Sequence, residues 1–199
     1  MRNHEIRMDK KYGLLFFLAP LILAMVLLLL VLPVEGTSAQ FDEKSWDFER
    51  FDVDIQLHED ASFTVRETQV VNFQGSFSFL TRDIDTGTAS FSEGRTYGRV
   101  RVKDIQVYDL DGQLYDDELW STENYDGGVT VRIDFQAQDE QRGWIIEYRM
   151  TGAIVFAEDY DRLYWNAVSE YRDVPIKSSL VTAYLPPQTD MNQVETAFY

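Results

Sequence analysis

Apolar and polar residues alternate strictly from Phe51 to His58, with Phe51, Val53, Ile55 and Leu57 on one parity and Asp52, Asp54, Gln56 and His58 on the other. A period of two sets one group against a core and the other in water, so this stretch is predicted to be a half-buried strand. After the short connection Glu59-Asp60-Ala61 the pattern resumes at Phe63, Val65, Val71 and Phe73, opposite Thr64, Arg66 and Thr68. The two runs read as a hairpin. Phe77, Phe79, Leu80 and Ile84 form a third apolar patch, followed by a Ser/Thr/Gly stretch from Asp85 to Gly98 with no hydrophobic period beyond Phe91. Such a stretch is predicted to be a surface loop, a place where function often resides. Val100, Val102, Ile105 and Val107 mark a strand over about Arg99 to Leu110, closed by Asp111-Gly112, which tolerate positive φ. Asp126-Gly127-Gly128 makes another turn before Val129, Val131, Ile133 and Phe135. Gln136 to Gly143 is polar; Trp144 to Phe156 then reads as one long strand, and Ile176 to Leu185 as the last, stopped by Pro186-Pro187.

Short strands at close spacing, joined by Gly/Asp turns and lacking any helix-length amphipathic pattern, predict an all-β fold. The expected form is an antiparallel, immunoglobulin-like two-layer β-sandwich. No repeat or linker divides residues 40–199, a length that buries enough surface for one domain. The chain ends at Phe198-Tyr199 without a polar tail, as expected of a piece of a longer protein.

Ahead of this body, Gly13 to Val34 form an uncharged apolar run of 22 residues behind Arg2, Arg7, Lys10 and Lys11. About 20 such residues cross a bilayer core as a helix, and Pro20 within the run is tolerated there. Residues 1–39 therefore read as a basic lead plus a signal or signal-anchor helix. Two forms fit: an uncleaved anchor, or a signal peptide cut after Thr37-Ser38-Ala39, before Gln40. The basic lead favours the cytoplasm and the first residues after the run (Glu35, Asp42, Glu43) are acidic, so the body is expected on the extracytoplasmic side of the cell membrane.

Charge narrows the partners. The first 39 residues hold four of the 18 Lys/Arg and three of the 34 Asp/Glu, which leaves 14 and 31 beyond them, a net of −17. Such a surface repels phosphate backbones, so nucleic acid is not an expected partner. Attachment to the membrane is expected through residues 13–34 and not through surface charge. The absence of cysteine removes disulfides, thiolate nucleophiles and thiolate metal sites.

Candidate chemistry is sparse. Asp109, Asp111, Gly112 and Glu118 match the third, fifth, sixth and twelfth places of a calcium loop, but Val107 stands at the first and the flanks read as strands, so these are weak calcium candidates beside the simpler reading of an acidic turn. Asp116 and Asp117 add to that acidity. In Glu158-Asp159-Tyr160-Asp161-Arg162-Leu163-Tyr164-Trp165-Asn166, paired carboxylates beside aromatics resemble a glycosidase cleft. The simpler reading has Tyr164 and Trp165 covering the core edge and Asn166 capping the next turn. His4 precedes the apolar run and His58 ends a strand on its polar face; no Gly-x-Ser-x-Gly elbow occurs. Lys177 beside Ser178 and Ser179 reads as a strand-edge lysine that discourages sheet pairing. No catalytic residue and no cofactor is expected.

An ordered set of landmarks resembles a known family. Phe51 to Leu57 with Phe63-Thr-Val-Arg-Glu-Thr68, Phe73-Gln-Gly-Ser-Phe77 with Arg82, Ile105-Gln-Val-Tyr-Asp-Leu-Asp-Gly112, Trp144 to Gly152, Leu163-Tyr-Trp-Asn166, Val174-Pro-Ile176 and Leu185-Pro186 are similar to the outer domain of YciQ-like bacterial membrane proteins, domain of unknown function 2207. The likeness covers most of residues 46–199 and departs at Asp85, where the pattern has proline. It implies an amino-terminal signal or anchor, an outward β-sandwich, then further membrane helices and a low-complexity cytoplasmic tail. It also marks Arg82, Tyr164, Trp165 and Asn166 as an interaction or structural motif, and it implies no catalytic residues. The leading expectation is a binding or assembly module at the cell envelope with a protein or glycan partner. The alternatives are an envelope glycan hydrolase or a calcium-stabilised adhesion module.

Overall fold

The computed structural model describes residues 44–86, 99–163, 165–168 and 174–196. Among these the strands are β1 (Ser45–Leu57), β2 (Phe63–Gln74), β3 (Ser76–Asp85), β4 (Arg101–Tyr108), β5 (Trp120–Tyr125), β6 (Gly128–Gln138), β7 (Gln141–Thr151), β8 (Ile154–Phe156), β9 (Asp161–Leu163) and β10 (Val181–Tyr184). They form a five-stranded sheet in the order β10, β1, β2, β7, β4, a three-stranded sheet in the order β3, β6, β5, and the small hairpin of β8 with β9.

The two larger sheets are joined by a folded ribbon. β2 pairs with β7 as far as Asn72 and Gln141, and β3 pairs with β6 from Ser76 and Gln138 onward. Both chains turn between these points. Gly75 takes φ +85° and Asp139 φ 51°, and the Gly75 N–H donates to Asp139 Oδ1 at 2.7 Å. A side chain at Gly75 would be strained at this φ.

The alternation seen in the sequence is what fills the space between the sheets. Phe51 and Val53 of β1, Phe63, Val65 and Val71 of β2, and Ile146, Tyr148 and Met150 of β7 face Leu80 and Ile84 of β3 and Val131, Ile133 and Phe135 of β6, all buried in one core cluster. At the ribbon's turn Phe73, Phe135 and Trp144 meet, with ring centroids 5.1 Å apart for Phe73–Phe135 and 4.7 Å for Phe135–Trp144. Each large apolar side chain buried here stabilises the fold by roughly 1.5–3 kcal/mol before entropy is counted.

Several expectations are corrected. The arrangement is mixed and not wholly antiparallel: β10 runs parallel to β1, with Val53 opposite Val181 and Gln56 opposite Tyr184. Alternation records which side a residue faces and carries nothing about strand direction. The final strand is also shorter than predicted, because Ile176 makes only an isolated bridge to Phe48 while Ser178 and Leu180 accept backbone bonds from Phe51 and Val53. The long strand expected from Trp144 to Phe156 is cut at Gly152, whose φ is +78° and whose added Cβ would lie 2.5 Å from the Arg99 carbonyl oxygen. β5 and β9 had no apolar period to reveal them; β5 is largely exposed. The apolar run 13–34, residues 87–98 of the predicted loop, Tyr164 and the last three residues lie outside the described residues. Among the described residues no helix is long and apolar enough to cross a membrane.

Candidate functional site

Two groups of charged residues stand out, one sealed inside and one at an edge. The sealed group follows from strand parity. Phe63, Val65, Val71 and Phe73 face the core, and Glu67 and Gln69 occupy the same parity between them, so a carboxylate and an amide are carried inward on β2. Arg82 falls between Leu80 and Ile84 on the inner face of β3, and Tyr148 lies on that of β7. The four side chains meet between the sheets. Glu67 Oε1 accepts from Arg82 Nη2 at 2.7 Å and from the Tyr148 hydroxyl at 2.7 Å; Oε2 accepts from Arg82 Nε at 2.8 Å and from Gln69 Nε2 at 2.9 Å. Arg82 Nη1 donates to the Asp83 carbonyl.

This is a bidentate guanidinium–carboxylate pair with both Glu67 oxygens doubly bonded, at 0% exposure for Glu67 and 7% for Arg82. Burial on its own would lower the basicity of Arg82, but the Glu67 charge and its hydrogen bonds outweigh that and hold the guanidinium above its ordinary range. Burial, then the same carboxylate, raises the Tyr148 hydroxyl well above its ordinary value. Closed off from solvent, the cluster clamps one sheet to the other.

The second group lies where β4 ends the larger sheet and the β5–β6 turn ends the smaller. A cleft of about 400 Å³ opens there, lined by Arg99, Arg101 and Lys103 on one side and by Asn124, Tyr125 and Gly127 on the other. Parity again sets the arrangement: Val100 is buried and Val102 packs on the core, which leaves the three cations exposed on the opposite parity. The Tyr125 hydroxyl donates to Asp85 Oδ1 at 3.0 Å and is pushed up to about 12 by burial and by that carboxylate. Asp85 therefore has a partner at the position where the family resemblance has proline.

The sites proposed from sequence are dispersed. Asp109 Oδ1 accepts from the backbone N–H of Asp111 at 3.0 Å and of Gln113 at 2.8 Å, which commits this carboxylate to its own turn. Glu118 sits in the 3-10 turn Asp117–Leu119, capped by Asp116. Among the described residues no three His, Cys, Asp or Glu side chains are grouped to hold a metal ion. Glu158 and Asp159 are exposed in the turn between β8 and β9, where Arg162 Nη2 donates to the Tyr160 hydroxyl at 2.9 Å. Trp165 packs edge-on against Phe63, centroids 5.7 Å apart, with its indole N–H buried and without an acceptor among the described residues. Asn166 is exposed, and most of the turn it was expected to cap, residues 169–173, lies outside the described residues. His58 Nε2 is 2.9 Å from the Thr64 hydroxyl. Lys177 lies 3.0 Å from Asp47 and 3.0 Å from Glu49, and the Ser179 hydroxyl donates to the Phe51 carbonyl at 2.7 Å. Arg82 is the residue of the implied motif that forms a built polar centre. A partner for it was legible in principle: Glu67 interrupts an inward apolar parity, and a buried carboxylate calls for a cation or hydrogen-bond donors beside it.

The family described as "Predicted membrane protein (DUF2207) N-terminal domain" matches residues 47–199. No curated protein matches the chain. Among solved structures, an M1 zinc metallopeptidase from Deinococcus radiodurans is 15% identical with a TM-score of 0.32, over 53% of this chain and 20% of that chain. A putative protease from Parabacteroides distasonis is 9% identical with a TM-score of 0.29, over 53% of this chain and 23% of that one. The chain thus spans about a fifth of these proteins, at a likeness too low to inform fold or activity.

Proposed function

Because the chain belongs to the family of predicted membrane protein N-terminal domains of unknown function 2207, we propose that it is an extracytoplasmic, immunoglobulin-like β-sandwich held at the cell membrane by residues 13–34, acting as a binding or assembly module without catalysis of its own. The observation that carries this reading is the use made of the charged residues. The buried pair is sealed between the sheets as a clamp, the acids named for chemistry cap turns or stand exposed, and an open cleft of about 400 Å³ is left at the sheet edges. That volume lies within the range of small-ligand sites.

The absence of cysteine permits a direct test of the orientation this reading needs. Asn192→Cys, on the exposed surface after β10, is expected to react with a membrane-impermeant maleimide in intact cells. Asn3→Cys is expected to react only after permeabilisation. The reverse pattern overturns the assignment.

A further inference from the structure

We propose that the cleft between β4 and the β5–β6 turn binds a compact polyanion, a small molecule carrying two or more phosphate or carboxylate groups. The inference rests on the reading of this domain as a binding module and adds the chemical class of its ligand.

Three observations converge. The first is spacing: Arg99 just before β4 and Arg101 and Lys103 within it lie at alternate positions, so their Cα atoms follow one another at about 7 Å and their long side chains can converge on one small molecule. The second is availability. Arg66, Arg132, Arg142, Arg149 and Lys177 are each paired with a carboxylate, and Arg82 is sealed with Glu67, whereas Arg99, Arg101 and Lys103 have no ion-pair partner among the described residues. In a chain with nearly twice as many acids as bases, three adjacent unpaired cations run against the surface composition.

The third is concavity and local charge. Among the described residues that line this concave space there are three cations and one acid, Asp126. Asp85 and Asp83 lie close by and keep their charge, the first accepting from the Tyr125 hydroxyl and the second from the Thr130 hydroxyl at 2.5 Å, so the cations of the other wall are the groups that would meet an anion. Thr86 and Asn124 add polar side chains to the lining. Guanidinium groups present a planar fork that matches both carboxylate and phosphate. The negative charge of the rest of the body is screened beyond about 8–10 Å in physiological salt, so the local cations govern contact.

An edge strand also uses lysine and arginine simply to discourage pairing with other sheets. Ligand binding separates the two roles. The full chain in detergent is titrated near neutral pH in about 0.15 M salt with inorganic pyrophosphate, with citrate, and with sodium chloride at matched ionic strength, and thermal unfolding and calorimetric heats are read. Pyrophosphate or citrate is expected to raise the unfolding temperature beyond the chloride control, as a ligand selective for the folded state must. Arg99→Gln with Arg101→Gln is expected to weaken that binding by about tenfold or more, while Arg142→Gln, which removes an exposed pair with Glu140, leaves it unchanged. No effect of either anion beyond chloride, or an effect that survives the double substitution, overturns the proposal. So does binding of a hepta-glutamate peptide in the absence of binding by both compact anions, which would assign the edge to strand pairing with an acidic peptide. These outcomes are independent of the maleimide labelling, so failure of the ligand assignment and failure of the membrane orientation are told apart.

Discussion

Arg82 and the pair Arg99 and Arg101 are the same residue type in opposite circumstances. Arg82 is enclosed between two sheets, and its contacts to Glu67 and the Asp83 carbonyl engage both of its terminal nitrogens and Nε; Arg99 and Arg101 stand at the mouth of a cleft without an ion-pair partner among the described residues. The difference shows how burial decides the role of a charge. Where water is excluded, an ion must have its partner built in, and it then serves registry between elements. Where water is present, an unpaired cation costs little and remains available to a ligand.

The sharpest way to break this contrast is to remove one half of the buried pair. Arg82→Met leaves Glu67 buried without a counter-charge and is expected to cost about 3–5 kcal/mol of stability in urea or thermal unfolding. Replacing both residues, Glu67→Met with Arg82→Met, is expected to cost less than Arg82→Met alone, because no charge is then stranded. A single-variant loss under about 1 kcal/mol would place the pair among ordinary exposed ion pairs.

Alkaline titration probes the same cluster from its tyrosine. Tyr148 is held well above its ordinary value of 10.0, and Tyr125 at about 12. Above pH 10 the unfolded chain therefore releases phenolic protons that the folded chain retains, the unfolded state binds fewer protons, and stability falls as pH rises toward 12 and past it. Tyr148→Phe is expected to flatten that fall and, by removing a bond to a charged acceptor, to cost roughly 1.5–3 kcal/mol near neutral pH. A pH profile unchanged by the substitution would show that the hydroxyl does not report on the cluster.

The smallest effect is expected at the cleft. Arg99→Gln with Arg101→Gln is expected to change unfolding stability by no more than about 0.5 kcal/mol, as for exposed positions without partners. A larger loss would mean that these cations support the fold, and the contrast with Arg82 would narrow.

Much of the fold was written in parity. The hairpin of β1 and β2, the inward set Val129, Val131, Ile133 and Phe135, and the turns at Gly112 and Gly127 follow from alternation and from residues that tolerate positive φ. The same parity carried Glu67 inward on β2 and left Arg99, Arg101 and Lys103 outward around Val100 and Val102. It did not reveal β5 or β9, whose side chains are mostly exposed and so need no apolar period.

Sequence by itself determined the all-β character, the apolar run 13–34, the acidity and the inward face of the strands that alternate, because these depend on neighbours along the chain. Only the tertiary structure decided that β10 runs parallel to β1, that Glu67 on one sheet meets Arg82 on the other, and that β4 and the β5–β6 turn enclose a cleft. Those facts depend on which residues distant in sequence are brought within bonding distance, and a local period of two holds no information about that distance.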